Sequence, residues 1–152
     1  MPEINNKSLY GPLTDDASLG LRLANIQVTK DLVAAFRPLG LTPAQFAALT
    51  LIQAHGMLPM GELGRLLTIQ KPNLTALLAP LLDRELIERQ QHKRDRRQRL
   101  LRLTPAGEAL LVAAEETRRA HVARLTRFLG EEEYGQLAQL LRRLAQYEAP
   151  AA

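Results

Sequence analysis

The sequence predicts a mainly α-helical chain with one small β-hairpin, and three observations carry that expectation. Apolar residues recur at spacings of about three, four and seven through most of the chain, helix-start signals stand at Thr42-Pro43 and Thr104-Pro105, and an arginine-rich segment leads into a short alternating run at 98–103. The 152 residues suit one domain, 1–152, and 46% hydrophobic content is enough to build a core.

From Ser18 to Arg37, Leu19, Leu23, Ile26, Val33 and Phe36 share one face of a first long helix. It is expected to stop before Pro38 and Gly40, because proline pushes its predecessor out of the helical region and glycine suits a left-handed terminator. Thr42, Pro43 and Gln45 form a capping box, opening a second helix that reaches about Ala54 with Phe46, Leu49 and Ile52 as core. Met57 to Pro59 is long enough only for an edge strand or a turn. Met60 to Leu67 follows as a brief helix with Leu63, Leu66 and Leu67 inward.

A turn at Thr68 and Ile69 leads to a helix over about Lys71 to Arg84, burying Leu74, Leu77, Leu78, Leu81 and Leu82. Pro80 lies inside it and removes a backbone donor, which predicts a kink near Ala76 to Pro80 or an early end. Leu86 to Gln91 and Gln98 to Leu103 are the two strands of the hairpin, with Leu101 and Leu103 on one face. Thr104 to Leu129 is a long helix with Leu110, Leu111, Ala114, His121, Val122, Leu125 and Phe128 along one side. After Gly130, Glu131 to Tyr147 opens on three acids that suit the positive end of the helix dipole and turns Leu137, Leu140, Leu141 and Leu144 inward. Two short helices joined by a tight turn and followed by a hairpin make a winged helix-turn-helix.

Charge is concentrated in the hairpin. Between Arg89 and Arg102 seven cations face one anion, a net +6 against +4 for the whole chain, so the remainder is acidic. Such focusing is the footprint of a surface that neutralises phosphates, although a basic run also serves as an ordinary solvated loop.

The chain contains no cysteine, which removes disulfides, thiolate metal sites and thiol switches. His55, His92 and His121 are too far apart to suggest a metal. They read instead as a helix-end, a phosphate-facing, and a partly buried or interface histidine. No nucleophile-base-orienter set or glycine-rich phosphate loop is legible, so neither an enzyme nor a cofactor is expected. With no apolar run of membrane-spanning length and no basic-apolar leader, a cytoplasmic protein with no membrane partner is expected.

A recognition helix needs donors and acceptors at its N-terminal half, and Gln70, Lys71, Asn73 and Thr75 supply them. Gln and Asn match adenine, Lys matches guanine or phosphate, and Thr suits a base, a methyl group or a phosphate. Gln70 or Thr68 serves equally well as a simple helix cap. In the wing, Lys93, Arg96, Arg97 and Arg99 are the candidate cations, with Arg96 or Arg97 entering a narrow minor groove and Asp95 holding the hairpin in shape.

Through ELGRLLTIQKPNLTALLAPLLDRELIER at 62–89, DRRQRLLRLTPAG at 95–107 and LTPAQFAALTLI at 41–52, the chain resembles the MarR family of bacterial transcription regulators. The resemblance implies a DNA-binding lobe over 42–103 and dimerisation helices over 13–38 and 104–148. It also implies a homodimer that places one winged helix on each half of a palindromic double-stranded DNA operator, commonly as a repressor. Arg97 would be the wing-tip arginine. Leu100 stands where some members carry a further arginine, with Arg99 beside it, and Glu85 stands where many have glycine. SLGLRLA at 18–24 and PLGLTPAQF at 38–46 are most similar to the branch controlling aromatic catabolism, which implies a small aromatic acid or its coenzyme A thioester as effector. Arg22, Phe46 and Leu49 would then be pocket candidates, Phe46 and Leu49 serving equally well as plain core. The alternative to a sequence-specific regulator is a winged-helix module that binds nucleic acid without sequence preference, or binds protein.

Overall fold

The computed structural model describes residues 11–13, 15–91 and 99–148. After a 3-10 turn at Gly11–Leu13 come α1 (Ala17–Phe36), a 3-10 turn at Arg37–Leu39, α2 (Pro43–His55), β1 (Leu58–Pro59), α3 (Met60–Leu66) and α4 (Lys71–Asp83). The hairpin β2 (Ile87–Gln91) and β3 (Arg99–Leu103) follows, then α5 (Pro105–Leu129) and α6 (Glu131–Leu144). The antiparallel sheet has the order β1-β3-β2, with Leu58 opposite Leu101 and Ile87 opposite Leu103. A mainly helical winged helix-turn-helix is therefore what forms.

Both threonine-proline signals act as caps. The Thr42 side chain accepts from the Gln45 N–H at 3.1 Å while Gln45 Oε1 accepts from the Thr42 N–H at 3.0 Å. The Gln45 amide, almost fully buried, also donates to the Leu77 carbonyl at 3.3 Å, so one side chain closes α2 and braces α4. Asp16 caps α1, accepting from Ser18 and Leu19 N–H groups. The core lies where α1 to α5 and the sheet meet, around Phe36, Leu49, Ile52, Leu63, Leu78, Leu101 and Leu111.

Three helices end in the same double bond pattern. After α1, Gly40 N–H reaches Arg37 and Leu41 N–H reaches Phe36. After α3, Thr68 reaches Arg65 and Ile69 reaches Gly64; after α4, Glu85 reaches Leu82 and Leu86 reaches Leu81. This closure requires a left-handed residue, normally glycine. Gly40 complies at φ 61°, but Thr68 and Glu85 take φ 55° and 54° with side chains attached. The turn at Glu85 thus keeps the geometry a glycine would give it. Glu85→Gly is expected to raise unfolding free energy by about 1 kcal/mol, read from denaturant midpoints, because the left-handed region penalises a Cβ by about that amount. An unchanged midpoint would mean that the turn carries no strain.

Several sequence expectations are corrected. α4 does not end early at Pro80 but runs to Asp83. Both Pro80 and Ala76, whose carbonyl loses its donor, are exposed, so water can satisfy that oxygen. Leu66 is exposed, and so is Phe128, at 85%. Most telling, α6 buries no residue. Leu137, Leu140, Leu141 and Leu144 all stand exposed, because α6 packs on α5 and no other described part of the protomer covers its apolar face.

α1 and α5 are joined by a polar lock. His121, 4% exposed, places Nδ1 2.7 Å from Asp31 Oδ2, and Arg124 donates to both oxygens of the same carboxylate. Arg124 first and His121 second hold the Asp31 carboxyl below its ordinary value.

Candidate nucleic-acid interface

α3 and α4 meet at the Thr68-Ile69 turn, and β3 runs past their junction. Between them lies an open cleft of about 1180 Å³ whose lining includes Gln70 and Lys71 at the start of α4 and Arg99 at the root of the wing. Two elements distant in sequence are brought there by the strand pairing, since Leu100 and Leu101 pair with Pro59 and Leu58 immediately before α3. Gly64 permits the tight joint. A Cβ there would come within 3.1 Å of the Ile69 carbonyl oxygen and the Leu74 side chain.

Gln70 occupies the N-cap of α4, but its side chain makes no capping bond. Neither it nor Thr68 caps with a side chain, which leaves the Gln70 amide for a base or phosphate. Lys71, Asn73 and Thr75 are all exposed on α4. The Thr75 hydroxyl donates to the Lys71 carbonyl at 3.0 Å, so in this rotamer it presents its methyl group and acceptor lone pairs outward. That arrangement suits a thymine methyl or a base donor better than a phosphate. Arg99 is exposed and has no ion-pair partner among the described residues. His92, Lys93, Asp95, Arg96 and Arg97 lie outside the described residues.

The wing's charge is partly internal. Arg102 and Glu88 face each other across the hairpin, with Arg102 Nε donating to Glu88 Oε1 at 2.9 Å. The Arg102 guanidinium, followed by the Gln90 amide, holds the Glu88 carboxyl below its ordinary value. Counting charge from Arg89 onward excludes this acid by one position, so one of the seven cations is neutralised within the sheet.

Two cleft residues escaped the sequence reasoning. Arg65 lines the same space but is held by Glu62 one turn earlier, which lowers the Glu62 carboxyl's affinity for protons. Thr68 lines it from the turn itself. The spacing of Gly64, Arg65, Thr68 and Ile69, which suits the helix-ending bond pattern, was the signal available for both.

The residues suggested for an effector are not gathered in one protomer. Phe46 and Leu49 are core, the Phe46 ring centroid lying 4.9 Å from that of Phe36. Arg22 is exposed on α1, fourteen residues before Phe36 and so roughly 21 Å away along the helix. His55 closes α2, its Nδ1 2.8 Å from the Leu51 carbonyl. The described residues hold no group of three or more potential metal ligands, and no single described helix is long and apolar enough to cross a membrane.

A MarR family model matches residues 41–98. The HTH-type transcriptional repressor MdtR of Bacillus subtilis (strain 168) is 32% identical over 135 residues, covering 88% of this chain and 86% of that protein. Among solved structures, the transcriptional repressor CouR bound to a 23-mer DNA duplex is similar with a TM-score of 0.87 and 34% identity, over 90% of this chain and 96% of that one. CouR bound to p-coumaroyl-CoA gives a TM-score of 0.83 and 31% identity, over 91% and 97%.

Proposed function

Given that this chain belongs to the MarR family and is a DNA-binding transcriptional regulator, we propose that it acts as a homodimeric repressor. In this reading it leaves a palindromic operator when a small aromatic acid or its coenzyme A thioester binds. The observation that carries the DNA half is the cleft that assembles Gln70, Lys71 and Arg99 from the recognition helix and the wing root. The uncovered apolar faces of α1 and α6 support the dimer. The likeness to CouR with p-coumaroyl-CoA supports the effector class. Arg22 is the candidate for the effector's carboxylate or phosphate, with Phe46 and Leu49 acting through the packing that sets α2 against α1. An effector works only by binding two arrangements of the recognition helices unequally, so its effect on operator affinity is the quantity to measure.

The test is binding of the purified protein to its own upstream DNA against excess unrelated duplex, with and without aromatic acids and their coenzyme A thioesters. Specific retention abolished by one compound is the expected result. Equal binding to every duplex would favour the sequence-independent module instead. Within this assay, Lys71→Ala and Arg99→Ala are each expected to weaken binding to all duplexes alike. Each should also lower the slope of log K against log salt by about 2 per dimer, roughly 0.9 for each phosphate left without its cation. Unchanged slopes for both variants would remove the cleft from the interface.

A further inference from the structure

We infer that Thr68 is a DNA-contacting residue whose hydroxyl donates to a backbone phosphate from the turn between α3 and α4. The inference rests on the DNA-binding reading of the cleft. Thr68 sits in the left-handed region at φ 55°, where glycine is the ordinary occupant and a β-branched side chain is the least suited. The turn has no use for that side chain. It is closed by main-chain bonds alone, Thr68 N–H to Arg65 at 3.1 Å and Ile69 N–H to Gly64 at 2.8 Å.

The hydroxyl likewise makes no hydrogen bond among the described residues. Thr75 donates to a carbonyl in its own helix, and Thr104 both donates to Glu85 and accepts from Gly107. Thr68 is exposed, and its hydroxyl has no partner among the described residues. It lines the cleft that also holds Gln70, Lys71 and Arg99. A strained, exposed threonine lining the same cleft as two cations with no ion-pair partner among the described residues is suited to a phosphate oxygen, which accepts a neutral donor without adding charge to the site.

Glu85 provides the internal control. It occupies the equivalent left-handed position after α4 and does not line the cleft. Glu85→Gly and Thr68→Gly therefore relieve the same backbone strain, and only the second takes a hydroxyl away from the DNA.

The experiment measures thermal midpoints and duplex affinity of full-length wild type, Thr68→Gly, Thr68→Ser and Glu85→Gly at several salt concentrations. Both glycine variants should melt higher by about 2–4 °C. Thr68→Gly should bind at least about tenfold more weakly, two hydroxyl-to-phosphate hydrogen bonds being absent per dimer, with its salt slope unchanged because no charge is removed from the protein. Thr68→Ser, which keeps the hydroxyl, should bind like wild type, and Glu85→Gly should not weaken binding. Higher melting with undiminished affinity in Thr68→Gly, or a serine variant as weak as the glycine variant, would overturn the inference. A wild type that binds no duplex would overturn the underlying DNA-binding reading of the cleft as well, an outcome told apart by the wild-type measurement alone.

Discussion

Gly107→Ala is expected to destabilise the protein by about 3 kcal/mol, lowering its melting temperature by on the order of 10 °C, because overpacking against backbone leaves no side chain to move aside. Gly107 is the third residue of α5 and is buried. A Cβ built there would lie 1.9 Å from the Leu86 carbonyl oxygen and 2.9 Å from its carbon. Leu86 cannot retreat easily. Its carbonyl accepts from the Thr104 N–H at 3.1 Å, and its side chain is buried beside the start of β2. The Thr104 hydroxyl also donates to Glu85, so the entry to α5 is fastened to the end of α4 by two successive carbonyls. Circular dichroism melts check the expectation. A variant that melts with the wild type would show that α5 can shift away from the hairpin without loss.

On the homodimer reading proposed above, Leu140→Glu combined with Leu144→Glu is expected to leave the protein monomeric by sedimentation and to reduce operator affinity by at least about 100-fold, since linked binding to two half-sites is lost. The two leucines are 57% and 49% exposed in the protomer, and Leu137, Tyr147 and Leu13 are comparably uncovered. Two acids on that face would have to be desolvated in any interface that covers it. The same face contributes nothing to the protomer core, so the variant should keep its helical content. A double variant that still sediments as a dimer would place the interface elsewhere.

The short-range features were legible because their causes are local. The Thr42 and Thr104 caps follow from hydroxyls three residues ahead of the N–H groups they satisfy. The inward placement of Leu101 and Leu103 follows from the alternation of a strand. The tripeptide Pro105-Ala106-Gly107 was legible as part of a helix start, but its glycine's purpose depends on Leu86, twenty-one residues earlier and brought near only by the hairpin. Arg102 entered the net charge of the hairpin as a free cation because its neutralising acid lies fourteen residues away across the sheet. Pro80 pointed to a kink or an early end, and sequence does not reveal that α4 continues past it to Asp83 with Ala76, whose carbonyl it frees, exposed. In the candidate site, the polar start of α4 was readable and the roles of Arg65 and Thr68 were not. Both depend on where the α3–α4 turn lies relative to β3.

By itself the sequence determined which segments are helices, where they begin, and that a basic hairpin follows a helix-turn-helix, because capping and periodicity act over three or four residues. Tertiary structure decided which apolar stripes are covered, which charges are already paired, and which polar side chains share a cleft. The physical reason is that a periodic pattern states only that a face avoids water. What covers that face, and which groups lie opposite a given charge, depends on surfaces contributed by distant parts of the chain. For α6, the described residues of the protomer supply no such surface.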